Sequence, residues 1–299
     1  MSGRGWNYFA ATPGLPLSLK CAANGRARYL VGGREFTVDD AGWLIVNDGQ
    51  PYSIEIASPT LVETFIVWFP RGWAREVLRS ATTQAAWLLA EPEPAVGTVD
   101  FFERYTPNDA KVTPVVRKIW TAFKSGEPLD DAWLEEKLRS VLARMLDAQR
   151  DLRRTIVRLP AVRAATRDEL WRRLNRARDF VHARCDEALA LGDMAHAAAM
   201  SPYHFLRAFK TAFGETPHDW LAACRVERAK LLLARTELPV TEVCFTVGYE
   251  GLGSFSAWFR RLTGHSPRAW RQAHGARHAI RNSREVFSAD ASLVSPARP

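Results

Sequence analysis

The chain has 299 residues, 47% of them hydrophobic, with 41 Lys and Arg against 33 Asp and Glu for a net charge of +8. That length suits two domains. No leader segment and no apolar run near the roughly 18 residues of a membrane span is present, which predicts a soluble cytoplasmic protein without a membrane partner. The charge is uneven: residues 151–299 hold 24 basic against 15 acidic side chains, while residues 1–150 hold 17 against 18. The whole excess sits in the second half, as a phosphate-binding module requires. Four scattered cysteines, Cys21, Cys185, Cys224 and Cys244, show no metal-ligand spacing, and the last three lie in apolar helical patterns as small core residues.

Residues 1–70 read as short strands rich in β-branched and aromatic residues, at 17–22, 27–32, 34–38, 42–47, 52–57 and 62–69. Gly32-Gly33 is a hairpin signal and Asn47-Asp48-Gly49 a second turn. Strands so short and closely spaced predict a small antiparallel β-barrel or sandwich. The segment FTVDDAGWLIVNDGQPYSIEI from Phe36 resembles the barrel strands of cupin-like domains. Metal-dependent cupin chemistry needs a His/Glu ligand cluster. No histidine precedes His182, so no metal or other cofactor is expected. What remains is an interior for a small effector, with Trp6, Tyr8, Tyr29, Trp43, Tyr52 and Trp68 as candidate lining or as plain core aromatics.

Residues 132–159 read as one long helix ended by Pro160. Leu134, Leu138, Val141, Met145, Ala148 and Leu152 form a heptad seam. Two partners are open to it: the same helix of a second subunit, giving a homodimer, or the chain's own barrel. Residues 160–166 read as a linker.

Beyond the linker the same punctuation occurs twice. HFLRAFKTAFGETPHDW from His204 aligns with SFSAWFRRLTGHSPRAW from Ser254, placing Phe205 on Phe255, Phe209 on Phe259, Gly214 on Gly264 and Trp220 on Trp270. Ser201-Pro202, Thr216-Pro217 and Ser266-Pro267 set a hydroxyl cap before a proline, and Gly214 and Gly264 end apolar runs. Thr166 with Glu169 reads as a capping box. Helices are predicted at 167–187, 193–199, 202–213, 217–235, 241–248, 252–263 and 267–273. Short helix, turn and longer helix, repeated, are two helix-turn-helix units.

At these residues the sequence resembles the DNA-binding domain of AraC/XylS-type transcription regulators. The carrying stretches are AHAAAMSPYHFLRAFKTAFGETPHDWL from Ala195, RVERAKLLL from Arg225 and VTEVCFTVGYEGLGSFSAWFRRLTGHSPRAWR from Val240. The resemblance implies duplex DNA and RNA polymerase as partners. Periodicity alone turns Phe205, Ala208, Phe209 and Ala212 inward on the first longer helix. It turns Tyr203, Leu206 and Arg207 out to the major groove, with His204 and Lys210 toward phosphate. Arg207 can donate twice to guanine. On the second longer helix Phe255, Phe259 and Leu262 face inward. Leu252, Gly253, Ser256 and Ala257 take the reading positions, and Arg260 and Arg261 suit phosphate. Many relatives carry a polar or basic residue where Ala257 stands, which weakens hydrogen-bond readout there. The helix between the units has 19 residues, or roughly 28 Å, against roughly 34 Å for one DNA turn.

The predicted architecture is α+β. Residues 1–159 form an effector-sensing or dimerising barrel with its helix, 160–166 a linker, 167–275 the DNA-binding domain and 276–299 a flexible tail. The predicted function is a sequence-specific transcription regulator, an activator or a repressor, and not an enzyme. Two readings compete: an alkylation-repair-like enzyme fused to a DNA module, for which only Cys21 is available, and a non-specific architectural protein.

Overall fold

The structure, a computed structural model, describes residues 2–89, 99–157 and 164–275. The chain forms two compact units, Met1–Ala183 with Ala190–Pro217, and Arg184–Leu189 with His218–Pro299. The expected linker falls mostly outside the described residues, and the expected tail entirely so.

Among the described residues the first unit is built on seven strands: β1 (Ser2–Thr12), β2 (Ser18–Ala23), β3 (Ala27–Val31), β4 (Arg34–Val38), β5 (Gly42–Val46), β6 (Tyr52–Trp68) and β7 (Tyr105–Pro107). Every pairing is antiparallel. The order is β4-β3-β6-β2-β5-β7, with β1 lying along β6. No ladder joins β4 to β7 among the described residues, so the closed barrel expected from the sequence is an open sheet. The reason lies in β6. Residues 52–57 and 62–69 looked like two strands, yet one 17-residue strand runs through both. Its first residues pair with β3 and its last with β2, so one strand serves both ends of the sheet instead of a closing ladder.

The two faces of the sheet bury different things. On one, Tyr29, Val31, Phe36, Leu44, Ile54 and Val62 pack together. On the other, Leu19, Trp43, Ile45, Phe65 and Val67 pack beneath α1 (Trp73–Leu89), α2 (Thr113–Lys124) and α3 (Asp131–Val157). On α3, Val141, Leu142, Met145 and Leu146 are buried in this core, and Leu134 and Leu138 lie against it. The heptad seam is therefore occupied by the chain's own sheet layer.

Three helices complete the first unit: α4 (Ala164–Ala183), α5 (Leu191–Ala197) and α6 (Pro202–Phe213). Since α4 starts ahead of Thr166, the predicted capping box does not form. Glu169 instead accepts from Arg173 Nε at 3.0 Å, one turn on. The second unit holds α7 (Pro217–Arg235), α8 (Val240–Thr246), α9 (Leu252–Thr263) and α10 (Pro267–His274). Val226, Ala229, Leu233, Val243, Phe255 and Phe259 form its core. All four cysteines are buried free thiols.

Candidate nucleic-acid interface and ligand face

On α6, Pro202 occupies the first turn and Gly214 closes the helix at φ 75°, a left-handed geometry that costs glycine little. Phe205 and Phe209 are fully buried, with Ala208 and Ala212 beside them. That anchoring turns the other face outward. Tyr203 is 65% exposed, Leu206 is exposed, and His204, Arg207 and Lys210 stand with them. Arg207 lies over the Tyr203 ring, its carbon 5.7 Å from the centroid, and reaches the Tyr203 hydroxyl at 3.4 Å. Tyrosine thus braces the guanidinium without neutralising it. Ser201 does not cap the helix; its hydroxyl meets His204 Nδ1 at 3.1 Å.

On α9, Phe255 and Phe259 are fully buried, while Leu252, Gly253, Ala257, Arg260 and Arg261 are exposed and Ser256 is half-buried. Leu262, expected inward, is 46% exposed. Trp258 and Trp270 cover the core instead, and their indoles leave no need for it. Arg261 rests over the Trp258 ring at 4.6 Å. Ser266 caps α10, accepting from the Ala269 amide at 3.1 Å.

The basic run on α7 divides its labour. Lys230 pairs with Glu227 at 2.8 Å, as expected for a helix face. Arg225, however, donates to the carbonyls of Cys185 and Glu187, and Arg228 meets Asp186 at 2.6 Å. These two arginines staple residues 184–189 to α7.

Within the first unit, α4 meets the sheet through buried polar groups. Asp179 accepts from Arg34 at 3.0 Å and from the Tyr105 amide at 3.1 Å. The His182 ring stacks on Tyr105, centroids 3.6 Å apart, and its Nε2 lies 3.4 Å from Asp39. Tyr105 also donates its hydroxyl to Asp39 at 3.1 Å. Burial would raise the Asp39 carboxyl, but the charge and hydrogen bond of His182 outweigh it, with Arg26 and the Ala41 amide, and hold it at about 2. Asp179 goes the other way. Burial pushes it up to about 6 against the pull of Arg34, the Tyr105 amide, Arg178 and Arg104.

Four of the six candidate lining aromatics share one face of the sheet. Tyr29 and Tyr52 share the inner face of the sheet, ring centroids 6.0 Å apart, and the register puts Trp68 on that face too. Tyr8 pairs with Ile56 on the same face but is half exposed. Trp43 pairs with Cys21 and faces the helical layer. The side chain of Trp6 lies outside the described residues.

One residue of this face escaped the sequence reading. Lys20 is fully buried, paired with Leu44 and Ile66, and its Nζ has no hydrogen-bond partner. It stands 3.9 Å over the Tyr52 ring and 5.6 Å from that of Trp68. Burial brings its ammonium down to about 7. The signal was available, since in SLKCAA the residues Ser18, Lys20 and Ala22 alternate onto one face of a strand that is buried on both.

Comparison with known proteins bears on the helical half. Residues 194–273 match a family model described as a helix-turn-helix domain. The chain is 30% identical over 92 residues, 31% of its length, to YobQ of Bacillus subtilis (strain 168), an uncharacterized HTH-type transcriptional regulator, covering 38% of that protein. It is 36% identical over 89 residues, 30% of its length, to the transcriptional activator NphR of a Rhodococcus species, covering 26% of it. The DNA-binding domain of AdpA, solved in complex with a target DNA, is 31% identical over 36% of this chain and 96% of that domain, with a TM-score of 0.34. The match thus spans less than two fifths of these curated relatives' own length.

Proposed function

We propose that the helix-turn-helix domain matched at residues 194–273 is of the AraC/XylS type that the sequence resembles, and that the whole chain is a sequence-specific transcription regulator whose sheet responds to a small molecule. The exposed Arg207 on α6, braced by Tyr203 and opposite the buried Phe205 and Phe209, carries this reading. A guanidinium held over a ring is pre-organised for two hydrogen bonds to one guanine. His204 and Lys210 flank it toward phosphate. Leu252, Gly253, Ser256 and Ala257 of α9 meet the second groove segment, with Arg260 and Arg261 on its backbone. RNA polymerase as partner, a homodimer and a cytoplasmic location complete the proposal. No helix among the described residues is long and apolar enough to cross a membrane.

An alkyl-transfer role for Cys21 finds no support. Burial pushes that thiol up to about 12, the reverse of an activated thiolate. A gel-shift titration of the full chain on its upstream region, against unrelated competitor DNA, tests the proposal. Competition by cognate DNA at about a thousandfold lower concentration is expected. Equal competition by both DNAs means an architectural protein.

A further inference from the structure

On the inner face of the sheet four buried polar atoms stand without a hydrogen-bond partner. Lys20 Nζ, Ser18 Oγ, Tyr29 Oη and Trp68 Nε1 are all buried and none has a hydrogen-bond partner. Ser18 pairs directly with Trp68, Lys20 sits one inward position along β2, and Tyr29 abuts Tyr52, over which Lys20 lies. Around them are Leu44, Val46, Ile54 and Val62, whose side chains offer no oxygen.

Donors left unmet in an apolar interior cost free energy each, and a lone buried cation costs most. The rings of Tyr52 and Trp68 offset part of that through cation–π attraction but supply no counter-charge. A buried water accepts at most two hydrogen bonds and neutralises nothing. A carboxylate brings about four acceptor positions and the missing charge. The face also has small positions beside Lys20, at Ala22 and Thr64, and it is not sealed, since Ile66 and Trp68 are partly exposed.

We propose that this face binds a small molecule with one carboxylate and an apolar, ring-sized body, its oxygens taken by Lys20 Nζ with Tyr29, Ser18 and Trp68, its body against Tyr52 and Trp68. The proposal deepens the reading of the sheet as the sensing unit and rests on it.

The test uses the full chain with benzoate, phenylacetate and hexanoate, and with uncharged benzamide as control, read by thermal shift and tryptophan fluorescence. At least one carboxylate should bind saturably, at least about tenfold tighter than benzamide, the worth of one charge-assisted hydrogen bond. Lys20→Met should lose that binding while its ligand-free midpoint equals or exceeds that of the parent. Trp68→Phe, which keeps the ring and deletes one donor, should weaken the carboxylate severalfold and leave benzamide unchanged. Binding by none of the three acids, undiminished binding to Lys20→Met, or a lowered midpoint in that variant overturns the proposal. A gel shift on the same samples keeps the two readings apart. Lost carboxylate binding with intact DNA binding sinks only this inference, whereas a parent chain that binds no DNA sinks the regulator.

Discussion

Asp39, at the end of β4, and His182, in the last turn of α4, lie 3.4 Å apart in the interior of the first unit, with Tyr105 touching both. The helix that opens the helix-turn-helix region is thereby tied to the sheet by a buried polar contact as well as by packing. Removing one member of a buried pair strands the other, which costs about 3 kcal/mol. His182→Ala should lower unfolding stability in urea by that order. A loss below about 0.5 kcal/mol would show that the contact contributes little.

The same pair sets an acid limit. Asp39 has its carboxyl lowered from 3.8 to about 2, so the folded state favours the charged form. Its contribution is complete above about pH 4 and disappears as pH falls toward 2. Asp39→Asn should be less stable than the parent at neutral pH, and the gap should close across that window. Parallel stability curves between pH 5 and pH 2 contradict it.

Lys20 works with the opposite sign. Its folded value of about 7 lies below the 10.5 of an exposed lysine, so between the two the unfolded chain binds more protons and stability rises with pH. Lys20→Met cannot gain this, so its advantage over the parent should be largest below pH 7 and shrink toward pH 10. At about 1.4 kcal/mol for each tenfold change in proton affinity, several kcal/mol are at stake. Denaturant midpoints of the two proteins at pH 6, 8 and 9.5 decide it, and a constant gap counts against it.

Arg207→Ala should cost about 1–3 kcal/mol on the cognate site and relax preference at one base pair, whereas Lys210→Ala should weaken all sequences alike. Uniform loss in both variants would make Arg207 a phosphate contact.

The two longer helices should also differ in stringency. α6 presents Arg207 and Tyr203, while α9 presents Leu252, Gly253, Ser256 and Ala257, which discriminate a thymine methyl but make no bidentate bond. Operator positions under α6 should tolerate substitution less than those under α9, and Ala257→Arg should raise general affinity. A saturation scan of the operator at one salt concentration measures this. Equal information in both halves rules it out.

Where the sequence carries its own stop signals, it was read to the residue. The bounds of α6, α7 and α9 match the proline and glycine punctuation at Pro202, Gly214, Pro217 and Gly264. Where structure depends on distant partners it was not. β1 has few turn signals and exists because β6 is long enough to pair with it. Arg225 and Arg228 stand around Glu227 in one basic stretch, and only the fold brings Cys185, Asp186 and Glu187 under them. Asp179 and His182 sat in a helix whose pattern seemed complete without a sheet. Lys20 is the harder case: lysine in a strand ordinarily marks the wet face, and only the apolar alternation of SLKCAA around it hints that both faces of β2 are covered.

The seam most visible in the sequence, around residues 160–166, would be the natural place to splice the sensor of one regulator onto the reader of another. A chimera joined there would keep Asp179 and His182 on α4 and bury them against a foreign sheet. Arg34, Asp39 and Tyr105 would stay behind with the discarded half. Exchange of sensors between relatives should therefore succeed only when those three positions travel with the helix, or when α4 is recoded to suit its new host.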